Sequence, residues 1–354
     1  MQTYLESLER TMGQAPSFDG KPAQLIQLTN RFGMSVVFMD IGATWLSCTL
    51  PINGESREVL LRSPNMAEHM QQSAYFGSII GRFANRIGKG QFDINEQSFQ
   101  LGINNGENSL HGGLDGFDKR RWAVAEYDGQ HVVFSLHSPD GDQGYPGNLD
   151  VKVTYTLTDD NELVIAYAAS TDQACPVNLT NHAYFNLAGE ASAFKSLDHH
   201  LKLNANAYLP TDSGLIPTGE IQAVEGTSFD FTQSKKIGCE FLTEPDQKMA
   251  GGYDHAFVFR PDVTDGSEIA AELVAPEKDV VMKIKTTKPA VQFYSGNFLA
   301  GTPGASKTYQ LYDGLALETQ FFPDGPNKPE WGVNRGVLTP RGSYQHRTVY
   351  QFEF

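Results

Sequence analysis

The sequence predicts an all-β protein built as one large antiparallel β-sandwich, and three observations carry that expectation. Beyond residue 20 the chain runs as short segments rich in β-branched and aromatic residues, punctuated by Gly, Pro, Asn and Asp, with almost no sustained 3.6-residue periodicity. Several of these segments pair across obvious turn residues. No low-complexity linker, charge block or internal repeat offers a place to divide the chain.

Taken in order, Tyr4, Leu5, Leu8 and Met12 recur at helical spacing, so residues 1–20 are expected to form a lead-in with a short amphipathic helix. Residues 21–354 are then expected to form a single domain. The alternative is two smaller β domains joined near residues 188–194, where Gly and small residues gather. Hairpins are predicted where 122–126 and 132–136 flank Asp128-Gly129, where 151–157 and 163–168 flank Asp159-Asp160-Asn161, and where 269–274 and 280–284 flank Pro276-Glu277-Lys278-Asp279. The run 344–354 alternates residue by residue and should close the fold as a strand.

Composition narrows the partners. The 354-residue chain carries a formal net charge of −15 with Lys and Arg scattered, which argues against a nucleic-acid partner. The first ten residues contain acidic side chains where a secretory signal needs an apolar run, and no segment is long and apolar enough to span a bilayer. A soluble, cytoplasmic protein with no membrane partner is expected. Cys48, Cys175 and Cys239 are odd in number and far apart, which fits reduced thiols. A monomer and a homodimer are equally compatible with the sequence.

The most informative segment is 178–187. Read as one strand, it puts Asn178, Thr180, His182, Tyr184 and Asn186 on one face and Leu179, Ala183, Phe185 and Leu187 on the other. That pattern suits a strand flooring a pocket for a hydroxyl-rich ligand, or equally a half-buried strand whose polar face meets water. Residues 81–89 resemble a phosphate loop only superficially, since the glycines are misplaced and no Ser or Thr follows the lysine. Residues 140–144 lack the oxygen ligands of a calcium loop and should form a tight turn.

The remaining polar clusters sit in β context. Asn85 and Arg86 lie beside apolar Phe83 and Ile87, and His111 occupies a glycine-flanked turn open to a ligand. Asp254 opens a strand, while Gln292 and Tyr294 share a strand face. Glu318 stands inside the apolar run Gly314-Leu-Ala-Leu-Glu-Thr319, where a carboxylate must be paired, hydrogen-bonded or functional.

In order along the chain, GRFANRIGKG at 81–90, NSLHGG at 108–113, PVNLTNHAYFNLAG at 176–189, YDHAF at 253–257, VQFYSGNFL at 291–299 and ALETQFFPDGPN at 316–327 resemble the aldose 1-epimerase (galactose mutarotase) family. The resemblance runs from about residue 20 onward. It implies a galactose mutarotase-like sandwich with a sugar-binding cleft and a small-molecule aldose as partner. It further implies Glu318 as general base, His182 as general acid, and Asn85, Arg86, His111, Tyr184, Asp254 and Gln292 as sugar contacts, with His111 a second candidate for the acid.

Anomer exchange needs ring opening to the aldehyde, rotation about C1–C2 and reclosure, so two proton transfers suffice and no metal or other cofactor is expected. A free histidine titrates near 6.5, so His182 is the partner that needs tuning, and nearby carboxylates are expected to favour its imidazolium. Rival readings are a non-catalytic carbohydrate-binding protein, a hexose-phosphate mutarotase, for which only Arg86 is well placed, and a glycoside hydrolase using Asp254 and Glu318.

Overall fold

The computed structural model describes residues 4–354. Two antiparallel sheets dominate. The larger has nine strands, and the hairpins expected from turn chemistry build one side of it: Ala123–Tyr127, His131–Ser138, Leu149–Leu157 and Glu162–Thr171 follow one another edge to edge. The far side holds Val281–Thr286, Ala271–Val274, His200–Leu203 and Lys235–Lys236. Between the two sides lies the last strand, Tyr344–Glu353, paired with Glu162–Thr171 on one edge and Val281–Thr286 on the other.

The second sheet has six strands, in the order Tyr184–Phe185, Leu315–Gln320, Ala290–Tyr294, Asp254–Phe259, Ala205–Tyr208 and Gln222–Ala223. A four-stranded meander spans residues 25–58. The sheets share one apolar core, because alternate residues of each face inward. Val151, Val153, Ile165 and Phe352 from the nine-stranded sheet meet a core that includes Phe257, Phe293, Leu315 and Leu317 from the six-stranded one, each at most 1% exposed. Each such side chain contributes about 1.5–3 kcal/mol on burial. Core residues come from both sides of the 188–194 segment.

The lead-in is helical over Tyr4–Leu8 and continues as a wider turn through Glu9–Gly13. Leu8 and Met12 are buried against Val37, Met39 and Leu46, the packing their spacing predicts. Residues 1–3 of that lead-in lie outside the described residues. Asp142–Gly144 forms a tight turn entered through Gly141 at φ 79°, and Asp142 pairs with Arg120 at 2.7 Å. Cys48 and Cys175 are buried free thiols, and Cys239 is an exposed one. No described helix is long and apolar enough to cross a membrane.

The segment 178–187 departs from the expected single strand. It forms two short pieces, Thr180–Asn181 paired with Ile79–Ile80, and Tyr184–Phe185 paired with the six-stranded sheet. All ten residues are buried, so the polar row is not an outer surface of the molecule. The asparagines break the strand. Asn181 Oδ1 accepts the Ala183 N–H at 3.0 Å and Asn186 Oδ1 the Ala188 N–H at 3.1 Å, turns that compete with a continuous ladder. Asn178 likewise serves the backbone of Ala84 and Phe321, so this part of the alternating polar row is structural.

Candidate active site

One face of the six-stranded sheet floors a cleft. Strand register sets Asp254 opposite Tyr294, Tyr294 opposite Ala316 and Ala316 opposite Tyr184, with Ala256, Gln292 and Glu318 in the next row. Asn85, Arg86, His111, His182 and the loop residues Tyr75, Asn105 and Phe298 complete the walls of a cavity of about 300 Å³. That volume lies at the small end of ligand sites and suits a single sugar ring.

His182 is carried by the turn between the two short strands and held by its backbone, which donates to Ser78 O and accepts from Gly77 N–H. Its Nε2 stands 3.5 Å from Glu318 Oε1. His182 Nδ1 and Glu318 Oε2 are buried without a hydrogen-bond partner. Orphaned buried polar atoms are rare, and two of them flanking one cavity mark where a ligand's hydroxyls would complete the network.

Burial drives the Glu318 carboxyl well above the usual carboxylate range, with the like charge of Asp254 adding to it and Arg86 opposing. Asp254 is also raised by burial, against the pull of Arg86 and of Gln292. His182 is pushed down to about 4 by burial. This corrects the expectation that neighbouring carboxylates would favour its imidazolium: desolvation dominates.

His111 sits in the left-handed region at φ 51°, followed by Gly112 at φ 88°, whose place a Cβ would fill only by lying 1.9 Å from Gly81 O. The Asn85 N–H donates to His111 Nδ1 at 3.0 Å. That bond leaves the ring proton on Nε2, so His111 is a hydrogen-bond donor toward the cleft. The ligand atoms of His111, His182 and Glu318 lie within 4.8 Å of one another. A metal there would require His111 to give up its ring proton or its bond to Asn85, so the donor set suits sugar hydroxyls better than a cation.

Arg86 donates from Nε to Asn105 Oδ1 at 3.0 Å, and Asn85 Oδ1 accepts the Arg86 N–H at 2.8 Å, leaving the Asn85 amide NH₂ as its ligand donor. Seven of the eight expected residues thus line the cavity: Asn85, Arg86, His111, His182, Tyr184, Asp254 and Glu318. Gln292, expected as a sugar contact, is the exception. It shares the sheet face but lies behind the wall, donating to Asp254 Oδ1 at 2.7 Å and accepting from Gln320 at 3.1 Å. Its cross-strand neighbour Ala256 packs with Leu209, Phe322 and Trp331.

Tyr75, Tyr294, Asn105 and Phe298 also line the cleft and were not among the expected contacts. Strand alternation marks Tyr294, since it shares the face of Gln292. The other three come from loops, where no periodicity singles out a residue.

A large antiparallel sandwich with a facing carboxylate and imidazole at the end of a polar, sugar-sized cleft is the framework of an acid–base catalyst. Residues 24–351 match the family described as aldose 1-epimerase. The chain is 46% identical over 347 residues to the aldose 1-epimerase of Escherichia coli strain K12, covering 98% of this chain and 99% of that one. It is 43% identical over 301 residues to the galactose mutarotase of Bos taurus, covering 84% and 85%. Among solved structures, the galactose 1-epimerase from Lactobacillus acidophilus superposes with a TM-score of 0.82 at 30% identity, covering 95% of this chain and 96% of that one. The chain belongs to the aldose 1-epimerase family.

Proposed function

We propose that the protein is an aldose 1-epimerase that interconverts the α and β anomers of free hexoses such as D-galactose and D-glucose. The observation that carries this reading is the 3.5 Å approach of His182 Nε2 to Glu318 Oε1, each residue presenting an unsatisfied polar atom in a cleft otherwise lined by donors and acceptors. In the minor ionisation state of the pair, with Glu318 ionised and His182 protonated against the pull of burial, Glu318 removes the proton from the C1 hydroxyl, the C1–O1 bond becomes a carbonyl, the bond from C1 to the ring oxygen breaks, and His182 delivers a proton to that oxygen. After rotation about C1–C2 the roles reverse and the ring closes on the other face.

Arg86, Asn85 and Asp254 orient the sugar, and the His111 Nε2–H donates to a ring substituent. Tyr184 supplies an apolar face. Hydrogen bonds to neutral hydroxyls, without a bound charge, give orientation with weak ground-state affinity, which suits rapid turnover. Residues 21–354 act as one domain in this reading, supported by the shared core, and free thiols at Cys48, Cys175 and Cys239 suit a reducing, cytoplasmic setting.

The test is polarimetry on freshly dissolved α-D-galactose with wild type, His182→Asn and Glu318→Gln. Each substitution is expected to lower kcat by about 10²–10⁴-fold. Wild-type rates in both variants would sink the assignment.

A further inference from the structure

The imidazole of His182 stacks with two phenol rings. The Tyr75 ring lies 5.8 Å from it with an interplanar angle of 19°, and the Tyr184 ring lies 5.0 Å away on a parallel plane within 18°. Tyr184 belongs to the sheet, but Tyr75 reaches the stack from a loop and does so in the left-handed region, at φ 59°. Several bonds fix it there. Gln72 Oε1 accepts the Tyr75 N–H at 2.7 Å, Tyr75 O accepts the Ser78 N–H at 3.1 Å, and the next residues bind the His182 segment through Gly77 N–H to His182 O at 2.9 Å and Asn181 Nδ2 to Gly77 O at 2.6 Å. Loop and imidazole therefore move as a unit.

We propose that Tyr75 is a positioning residue for the reaction, one wall of an aromatic slot that fixes the plane of His182 and stabilises its protonated form while the proton passes to the sugar's ring oxygen. This inference rests on the assignment of His182 as the proton donor. The imidazolium needs such support. Its second N–H, at Nδ1, has no partner beyond the residue's own backbone, and burial already holds the ring at about pKa 4. A cation over the face of a tyrosine within about 6 Å is attracted by the ring quadrupole, most strongly where water is excluded.

The charged and titratable groups around His182 do not replace that support. Glu318 faces Nε2, but it must hold the sugar's C1 hydroxyl during the reaction. Asp254 is held by Gln292 and lies on the next strand but one from Glu318. His111, with its ring 5.2 Å away, and Arg86 are donors that oppose a positive charge, and Tyr294 stacks edge-on against Tyr184.

The experiment compares wild type with Tyr75→Leu, Tyr75→Phe and Tyr75→Gly in the full-length protein. Two readouts are used: the NMR titration of the His182 ring, and the pH profile of mutarotation. Losing one aromatic face should lower the His182 titration by about one pH unit and kcat by about tenfold, shift the acid limb of kcat down by the same interval, and leave KM within about twofold. Tyr75→Phe keeps the ring and should regain what Tyr75→Leu loses. Glycine accepts the positive φ without strain, so Tyr75→Gly should match Tyr75→Leu and serves if the leucine variant does not fold.

An unchanged titration and pH limb in Tyr75→Leu or Tyr75→Gly would overturn the proposal, as would a phenylalanine variant no better than leucine. If His182→Asn retained full activity, the donor assignment itself would fail, while the titration would still decide whether the slot stabilises the imidazolium.

Discussion

Lys288 is fully buried beneath the segment that carries His182, and replacing it by methionine should stabilise the protein. Its ammonium donates to Tyr344 Oη at 2.5 Å and lies 4.4 Å from the Phe321 ring and 4.5 Å from the Tyr344 ring. Among the described residues no carboxylate pairs with it, and burial drives its pKa well below the usual lysine range. Folding must therefore desolvate a charge or surrender a proton, at about 1.4 kcal/mol for each pH unit of depression. Exchanging a buried ionisable group for an apolar one of similar volume gains about 1–4 kcal/mol. Tyr344 Oη keeps the Leu179 N–H at 2.7 Å, so the substitution orphans no acceptor.

A gain of about 2 kcal/mol corresponds to a rise in Tm of about 3 °C for a protein of this size. The sign with pH follows from linkage. A lysine whose folded pKa is depressed destabilises the fold below its unfolded pKa of about 10.4, and the deficit grows as pH falls toward the folded value. Calorimetric melts of wild type and Lys288→Met at pH 6, 8 and 10 should show the variant's advantage shrinking as pH rises, with mutarotase activity intact. A variant less stable than wild type, or an advantage independent of pH, would refute the reasoning.

Other outcomes follow from the same geometry. Glu318→Gln should raise Tm at pH 7 but not at pH 4, since a carboxyl with a raised folded pKa stabilises only below its unfolded value of about 4.3, and calorimetry reads the difference. With His182 pushed down to about 4 and Glu318 raised above it, the acid limb of wild-type kcat/KM follows His182 and the alkaline limb follows Glu318, so an alkaline limb at or below pH 4.3 in initial-rate polarimetry would contradict a buried base. Gln292→Leu removes the donor to Asp254 Oδ1, so KM for galactose should rise several-fold with a smaller change in kcat, consistent with loss of about 1 kcal/mol in sugar binding. Gly112→Ala forces a Cβ against Gly81 O and should lower both Tm and activity, because the His111 turn cannot keep its shape.

Local signals in the sequence predicted the fold well. The three hairpins depend on residues a few positions apart, and the structure contains all of them. The segment 178–187 was misread as one strand because its two halves pair with residues 79–80 and 315–316, partners that no local alternation reveals. Glu318 was conspicuous as a charge inside an apolar run. Gln292 and Tyr294 share a strand face and cannot be told apart by alternation; tertiary packing turns Tyr294 to the cleft and Gln292 to Asp254. Tyr75 left no trace at all, because a loop aromatic acquires its role only through the distant imidazole it touches.

The place of Tyr344–Glu353 in the large sheet also has a consequence for biosynthesis. Both neighbours of this strand, Glu162–Thr171 and Val281–Thr286, are translated before it. Until it emerges from the ribosome, each half of the sheet ends in an open edge of unpaired backbone groups, a template for pairing with another nascent chain. Cooperative closure of the large sheet therefore waits on this strand. Slow synthesis of the final segment, or its proteolytic loss, should send the protein toward aggregates rather than toward a smaller folded form.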